Sequence, residues 1–85
     1  MRLDKFLKIS RIIKRRTVAK AVCDQGKVKI NGRPAKAGSD VDVGDDIEVD
    51  FGSKIVTFKV LDTLSHASKK QASTMYEVID EKHVI

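Results

Sequence analysis

A seven-residue stretch at positions 26–32, GKVKING, divides the chain into a helical part and a strand part. Its first glycine follows an amphipathic segment, at a place where helices commonly end in a left-handed residue. The middle of the stretch alternates polar and apolar residues, which predicts a strand. Asn31 and Gly32 both tolerate positive φ, so the pair predicts a tight turn. We therefore expect helices before this stretch and strands after it.

Two helices are predicted upstream, over residues 3–9 and 17–25. Both segments carry apolar residues three and four positions apart, the spacing of one helical face. The first stripe is Leu3, Phe6 and Leu7, and the second is Val18, Ala21 and Val22, with Ala19 and Cys23 beside it. Thr17 is predicted to be the N-cap of the second helix, because its hydroxyl accepts hydrogen bonds from free amides of the first turn.

Downstream of the stretch, the pattern predicts short strands. Arg33-Pro34 is expected to continue the turn. Strands are expected at Val41–Val43, along Ile47, Val49 and Phe51 with their acidic neighbours, over 54–61 and over 75–79. The polar residues 65–74 are expected to form a loop, which is either solvent-exposed without a binding role or a secondary contact to the ligand. Residues 80–85 are expected to form a tail. Helices grouped before strands indicate an α+β domain with an antiparallel sheet.

Charge is distributed unevenly along this order. Residues 1–37 hold twelve basic and two acidic residues, a net of +10, whereas residues 38–85 hold five basic and ten acidic ones, a net of −5. Such asymmetry indicates one face that meets a polyanion, although a basic run alone is more often a solvated surface. None of the four aromatic residues interleaves with the basic cluster, so structured, mostly double-stranded RNA is a better target than single strands. Duplex DNA stays open as an alternative.

The composition excludes several other classes. With 85 residues the chain has room for one domain. No apolar run approaches the roughly 18 residues of a membrane span, and the start of the sequence has no signal-peptide pattern. The single cysteine rules out a disulfide framework, so we expect a cytosolic protein that does not bind membranes.

Catalytic chemistry has little support in the sequence. Cys23 lies on the apolar side of the second helix, where a small core residue is a better interpretation than a nucleophile. His66 and His83 have no partner at metal-ligand spacing. The acidic residues between 40 and 50 alternate with apolar ones, as on the solvated face of a strand. We therefore expect neither an enzyme nor a cofactor or metal site.

The ordered motifs resemble a known RNA-binding module. They are RLDKFL at 2–7, RRTVAK at 15–20, GKVKING at 26–32, Lys36, and the run from Val41 to Val49. Together they are similar to the S-four type domain of ribosomal proteins, also called the alpha-L motif, over residues 1–61. The resemblance implies two short N-terminal helices packed on a small curved, mainly antiparallel sheet. Residues 62–85 would then be a short extension, containing a strand, packed on the same domain.

The length leaves no room for the catalytic domains that many family members carry. Among stand-alone members, the sequence is most similar to the RqcP family, short relatives of the fifteen-kilodalton heat-shock protein. This resemblance implies a non-catalytic factor of ribosome-associated quality control that binds the obstructed large ribosomal subunit through 23S rRNA and peptidyl-tRNA. It would support an RqcH-like factor during alanine tailing, as a monomer. A ribosome-assembly or rRNA-maturation factor would use the same face.

Candidate RNA contacts follow from the basic cluster and the motif. Arg2 and Arg16 correspond to the basic positions that begin the motif and open the second helix. The further candidates are Lys5, Arg11, Lys14, Arg15 and Lys20, with Arg33 and Lys36 after the tight turn. Asp4 is a carboxylate among them. In one interpretation it is a negative charge at a helix N-terminus or a partner that orients a neighbouring cation. In the other it bonds directly to a base edge or an RNA hydroxyl.

Overall fold

A computed structural model of the chain describes residues 1–84 and confirms the α+β class. Two helices come first, followed by five strands with a third, short helix before the last one. The helices are α1 (Leu3–Ile9), α2 (Arg16–Asp24) and α3 (Lys69–Ala72). The strands are β1 (Val28–Ile30), β2 (Arg33–Pro34), β3 (Asp46–Asp50), β4 (Lys54–Val60) and β5 (Tyr76–His83).

All five strands form one sheet in the order β2-β1-β3-β4-β5, and each neighbouring pair is antiparallel. Asn31 and Gly32 connect β1 to β2 with φ values of 51° and 81°. Two consecutive positive φ values match the right-handed twist of a hairpin, which confirms the predicted tight turn. A bulge between Thr57 and Phe58 interrupts the register of β4 with β5, and bulges of this kind bend a strand.

One hydrophobic core joins the helices to the sheet. The predicted stripe of α1 is confirmed, because Leu3, Phe6 and Leu7 are fully buried. They belong to the same cluster as buried residues of β1 and β3. Each such side chain contributes about 1.5–3 kcal/mol when it leaves water. The core therefore fixes which side of α1 points outward, and that outward side carries the basic residues.

Helix α2 differs from its prediction in its start and in its buried side. It begins at Arg16, with Arg15 as the N-cap, and no side-chain hydrogen bond caps it. Thr17 is therefore not the cap. The buried positions are Ala19 and Cys23, while Val18 is exposed. Both sets of residues have helical spacing, so the sequence pattern alone did not tell which stripe packs inward.

Three strand predictions also need correction. Arg33-Pro34 is not only turn, because it pairs with Lys29 and Ile30 as β2. Val41 and Val43 lie outside the strands, because the pairing next to them is limited to an isolated bridge between Arg2 and Asp40, and Val43 is 61% exposed. Phe51 lies beyond β3 in the turn to β4 and is 40% exposed.

The C-terminal part contains more helix and strand than predicted. Within the expected loop 65–74, α3 begins at a capping box, in which Ser68 and Gln71 bond reciprocally through side chain and backbone. The expected tail contributes to β5, which extends to His83 and pairs with the full length of β4. Position 85, the end of the expected tail, lies outside the described residues.

Candidate nucleic-acid interface

A buried carboxylate lies among the arginines of the basic face. The side chain of Asp4 is only 4% exposed, whereas those of Arg2 and Arg16 are 53% and 49% exposed. The Nε of Arg2 donates to Oδ1 of Asp4 at 3.1 Å, and the Nε of Arg16 lies 3.5 Å from Oδ2. The backbone amide of Lys5 also donates to Oδ1, at 2.8 Å. Asp4 thus connects two half-exposed guanidinium groups, a geometry that supports the predicted interpretation in which it orients neighbouring cations.

The local backbone explains why Arg2 reaches this position. Arg2 is the extended N-cap residue of α1 and forms an isolated antiparallel bridge with Asp40. The next two amides, of Leu3 and Asp4, donate to the carbonyls of Ser39 and Ala37 at 2.8 and 3.1 Å. These bonds use amides that have no partner within the helix itself. The start of α1 is therefore anchored to the loop before β3.

The electrostatics of Asp4 reflect the same contacts. Burial acts to raise the pKa of its carboxyl, but the hydrogen bond from Arg2, the charge of Arg16 and the amide of Lys5 outweigh burial. The net pKa of Asp4 is therefore below its ordinary value, so the group stays ionised at neutral pH. The hydrogen bond to Asp4 also raises the pKa of Arg2.

Next to this cluster lies a groove of about 440 Å³ between the first helix with its following linker and the segment before α3. We call it the basic groove. Its lining consists of Lys5, Lys8, Ile9, Arg11, Lys14 and Arg16 from one part of the chain and Ser65, His66 and Ala67 from the other. Within residues 1–84, Arg16 is the only one of these cations that forms an ion pair. Converging cations without carboxylate partners favour binding of an anion.

The structure brings part of the predicted contact set together. Lys5, Arg11, Lys14 and Arg16 line the basic groove, and Arg2 and Asp4 adjoin it through the shared carboxylate. The remaining predicted residues, Arg15, Lys20, Arg33 and Lys36, are exposed but do not line the groove. Lys20 follows Arg16 by one helical turn, so it extends the same side of α2.

Five groove residues were not among the predicted contacts, and three of them are polar. Lys8 follows Lys5 by three positions, and helical spacing places such residues on one face, so the sequence did contain a signal for it. Ser65 and His66 carried no comparable signal, because their approach to α1 depends on the path of the chain after β4.

Other candidate sites have no geometric support. Cys23 is fully buried, and burial, together with the charges of Asp4 and Asp24, raises the pKa of its thiol to about 11. Residues 1–84 contain no group of histidine, cysteine, aspartate or glutamate side chains arranged to hold a metal ion. None of the helices in this part of the chain has the length and apolar character that crossing a bilayer requires.

The fold and the interface can now be compared with known proteins. The S4 domain family model matches residues 1–47, which include α1, α2 and the β1–β2 hairpin. The structure is similar to that of Heat Shock Protein 15 from Vibrio cholerae, solved as a trimer, with a TM-score of 0.85 and 29% identity. That superposition covers 93% of this chain and 81% of the other.

Curated relatives share almost the whole length of the chain. The RQC P-site tRNA stabilizing factor of Bacillus subtilis is 54% identical over 82 residues, which cover 96% of this chain and 95% of that one. The factor of the same name from Streptococcus pneumoniae is 52% identical over 84 residues, covering 99% and 96%. The chain therefore belongs to the S4-domain family, within the group of RQC P-site tRNA stabilizing factors, or RqcP proteins.

Proposed function

We propose that this chain is a non-catalytic, RNA-binding factor of ribosome-associated quality control. The observation that carries the proposal is the pair of half-exposed arginines, Arg2 and Arg16, that share the buried carboxylate of Asp4 beside the basic groove. A guanidinium has five N–H donors, and each of these arginines uses only part of its set on Asp4. Both side chains are about half exposed, and the planar guanidinium group suits bidentate bonds to phosphate.

The kind of RNA follows from what surrounds these cations. None of the four aromatic side chains lines the basic groove, so a platform for stacking several bases in a row has no support. Recognition through phosphate contacts and helix shape fits structured RNA. Within this proposal, residues 1–61 form the RNA-binding domain, and residues 62–85 form an extension packed on it.

The names of the relatives support a more specific role. Proteins that are more than half identical to this chain over nearly its full length are called RQC P-site tRNA stabilizing factors. We propose that this chain, as a ribosome-associated monomer of the cytoplasm, binds 23S rRNA and peptidyl-tRNA on the obstructed large subunit. It would hold the tRNA in place while an RqcH-like factor extends the stalled chain with alanine.

The decisive variant is Arg16→Glu. It replaces a side chain that can donate hydrogen bonds to phosphate by a carboxylate that repels Asp4. We expect it to abolish cosedimentation with large ribosomal subunits while circular dichroism shows an intact fold. Lys82→Glu is the matched control, because it makes the same charge change on β5, away from the basic groove. Normal cosedimentation of the Arg16→Glu variant would contradict the assignment of this face.

A second experiment separates the proposed role from rRNA maturation. Purification of the tagged chain from cells should recover large subunits that carry peptidyl-tRNA, together with the RqcH-like factor. Recovery of immature particles that lack peptidyl-tRNA would instead identify an assembly or maturation factor that uses the same face.

A further inference from the structure

The C-terminal segment contributes to the basic groove although it lies outside the part of the chain that the S4 domain model matches. Ser65 and His66 line the groove together with the cations of α1 and the linker after it. Both residues are exposed, so their polar groups are free to meet a ligand. The groove is thus built from two segments that are about fifty residues apart in sequence.

Residues before and after His66 in the sequence are packed against the core or held by hydrogen bonds. Leu64 and Ala67 are partly buried against the core. After them, the capping box fixes the start of α3, and Ala72 and Met75 are buried. The amide of Leu61 also donates to the carbonyl of Met75 at 2.8 Å, which closes the segment at its base. An exposed histidine between such anchors is held in place at the groove, unlike a residue of a free loop.

The size and chemistry of the groove restrict its ligand. A volume of about 440 Å³ falls in the range of sites for small ligands, about 300–1,000 Å³, so it suits one nucleotide better than the side of a duplex. The lysines and Arg11 supply charge for a phosphate. The imidazole of His66 offers a flat face for an unstacked base and nitrogen atoms for hydrogen bonds, and RNA-binding proteins use both.

We propose that the basic groove binds one unpaired nucleotide of the RNA, with its phosphate on Lys5, Lys8 and Arg11 and its base or ribose against His66. This inference rests on the proposed RNA-binding function. It adds that the C-terminal extension contacts RNA directly and that the contact is to a nucleotide outside the double-stranded part.

Site-directed cross-linking tests this contact on the full chain. A benzophenone maleimide is attached to the variant His66→Cys or, as a matched control, to His83→Cys on β5. The native Cys23 is buried and its thiol has a pKa of about 11, so it does not compete for the reagent. The probe is the purified large ribosomal subunit that carries peptidyl-tRNA. On irradiation, we expect RNA cross-links from position 66 and only background from position 83.

The possible outcomes separate this inference from the proposed function. If both labelled variants cosediment with subunits but position 66 cross-links no more RNA than position 83, the inference is wrong and the proposed function stands. If the unlabelled, unsubstituted chain does not bind the subunits, both fail.

An affinity measurement provides a second test. His66→Ala should weaken binding to the same subunits about tenfold, the loss that one stacked base carries, whereas His83→Ala should bind normally. Because His66 is exposed, the thermal unfolding of the His66→Ala variant should be unchanged. Unchanged affinity of this variant would overturn the inference.

Discussion

The Nε of Arg16 lies 3.5 Å from Oδ2 of Asp4, so the first residue of α2 is tied to the first turn of α1. The same carboxylate accepts the Nε of Arg2 on its other oxygen. Asp4 thereby holds the guanidinium groups of Arg2 and Arg16 close together. Without the negative charge of its carboxylate, the two cations would repel each other. We therefore propose that Asp4 contributes to RNA binding through its contacts with the two arginines.

Replacement of Asp4 by asparagine tests this orienting role. Asp4→Asn makes the chain more basic by one charge, which by long-range attraction alone would strengthen RNA binding. We expect weaker binding to large subunits instead, because Arg2 and Arg16 lose the group that aligns them. We also expect a loss of about 1–3 kcal/mol in the free energy of unfolding, the range for a buried charge-assisted hydrogen bond. Subunit-binding titrations and denaturant unfolding measure the two effects.

Asp42→Asn is the matched control, since it adds the same charge at an exposed position. It should bind as well as the unsubstituted chain or slightly better. If Asp4→Asn also bound better, Asp4 would have no orienting role.

The pH dependence of stability provides an independent prediction about Asp4. Its pKa in the folded chain is below the ordinary value of 3.8. The ionised carboxylate therefore stabilises the fold above pH 3.8, and this contribution is lost as the pH falls through the lower folded-state pKa. The difference in unfolding free energy between the unsubstituted chain and Asp4→Asn should be constant from pH 5 to 7, on the order of the loss given above, and shrink below about pH 4. A difference that did not change in acid would rule out this source of stability.

Arg11 combines backbone strain with a place in the groove. Its φ is 62°, a left-handed conformation that costs residues with a Cβ about 1–2 kcal/mol. Arg11→Gly should therefore raise the free energy of unfolding by about 1 kcal/mol and the melting temperature by roughly 4–8 °C. It should also weaken subunit binding and reduce the slope of log affinity against log salt by roughly 0.7–0.9. Calorimetry and binding at several salt concentrations test both halves.

Arg11→Gln separates the two effects, because it keeps the strained backbone and removes the charge. It should lose affinity as Arg11→Gly does, without any gain in stability. A glycine variant that was more stable and bound normally would place Arg11 outside the interface.

The turn between β1 and β2 yields a stability prediction that is separate from RNA binding. Asn31 adopts positive φ, its Nδ2 donates to Asp45 at 3.1 Å, and its Oδ1 accepts from the amide of Asp46 at 2.9 Å. Asn31→Ala should cost about 1–3 kcal/mol in unfolding free energy and leave subunit binding unchanged at temperatures where the variant is folded. Asn31→Gly keeps the favourable φ but loses the same bonds, so it should be the more stable of the two variants. An alanine variant that was as stable as the original chain would contradict this account of the turn.

Local signals predicted the first half of the fold well. Asn31-Gly32 and the stripe of α1 depend on neighbours within a few residues, and both predictions were right. The predicted cap at Thr17 was wrong because Arg15 and Arg16 already adopt the geometry of a helix start without a side-chain bond. The length of strand β5 was underestimated because most of its residues are exposed on both faces. Alternation of polar and apolar residues therefore does not mark it in the sequence. Its extent is set by pairing with β4, which is distant in sequence.

The candidate site was predictable in composition but not in arrangement. The density of basic residues between 2 and 20 can be read directly from the sequence, and it predicts this candidate face. The burial of Asp4 depends on the packing of two helices, and the entry of His66 into the basic groove depends on the path of the chain after β4. Both require contacts between segments that no periodic pattern in the sequence records. The same holds for α3, whose four helical residues are too few for a periodic signal.

The anchoring of α1 on the loop before β3 has a consequence for the order of folding. A helix of seven residues is too short to be stable alone in water. Its first amides find their acceptors in Ala37 and Ser39, so α1 is held only after the ribosome has synthesised the chain well past α2. A nascent chain that ends before this loop carries twelve of the seventeen basic residues without the aligned arginines. We expect such a fragment to bind RNA only through non-specific electrostatic attraction. Selective binding should arise cooperatively, when the complete domain folds.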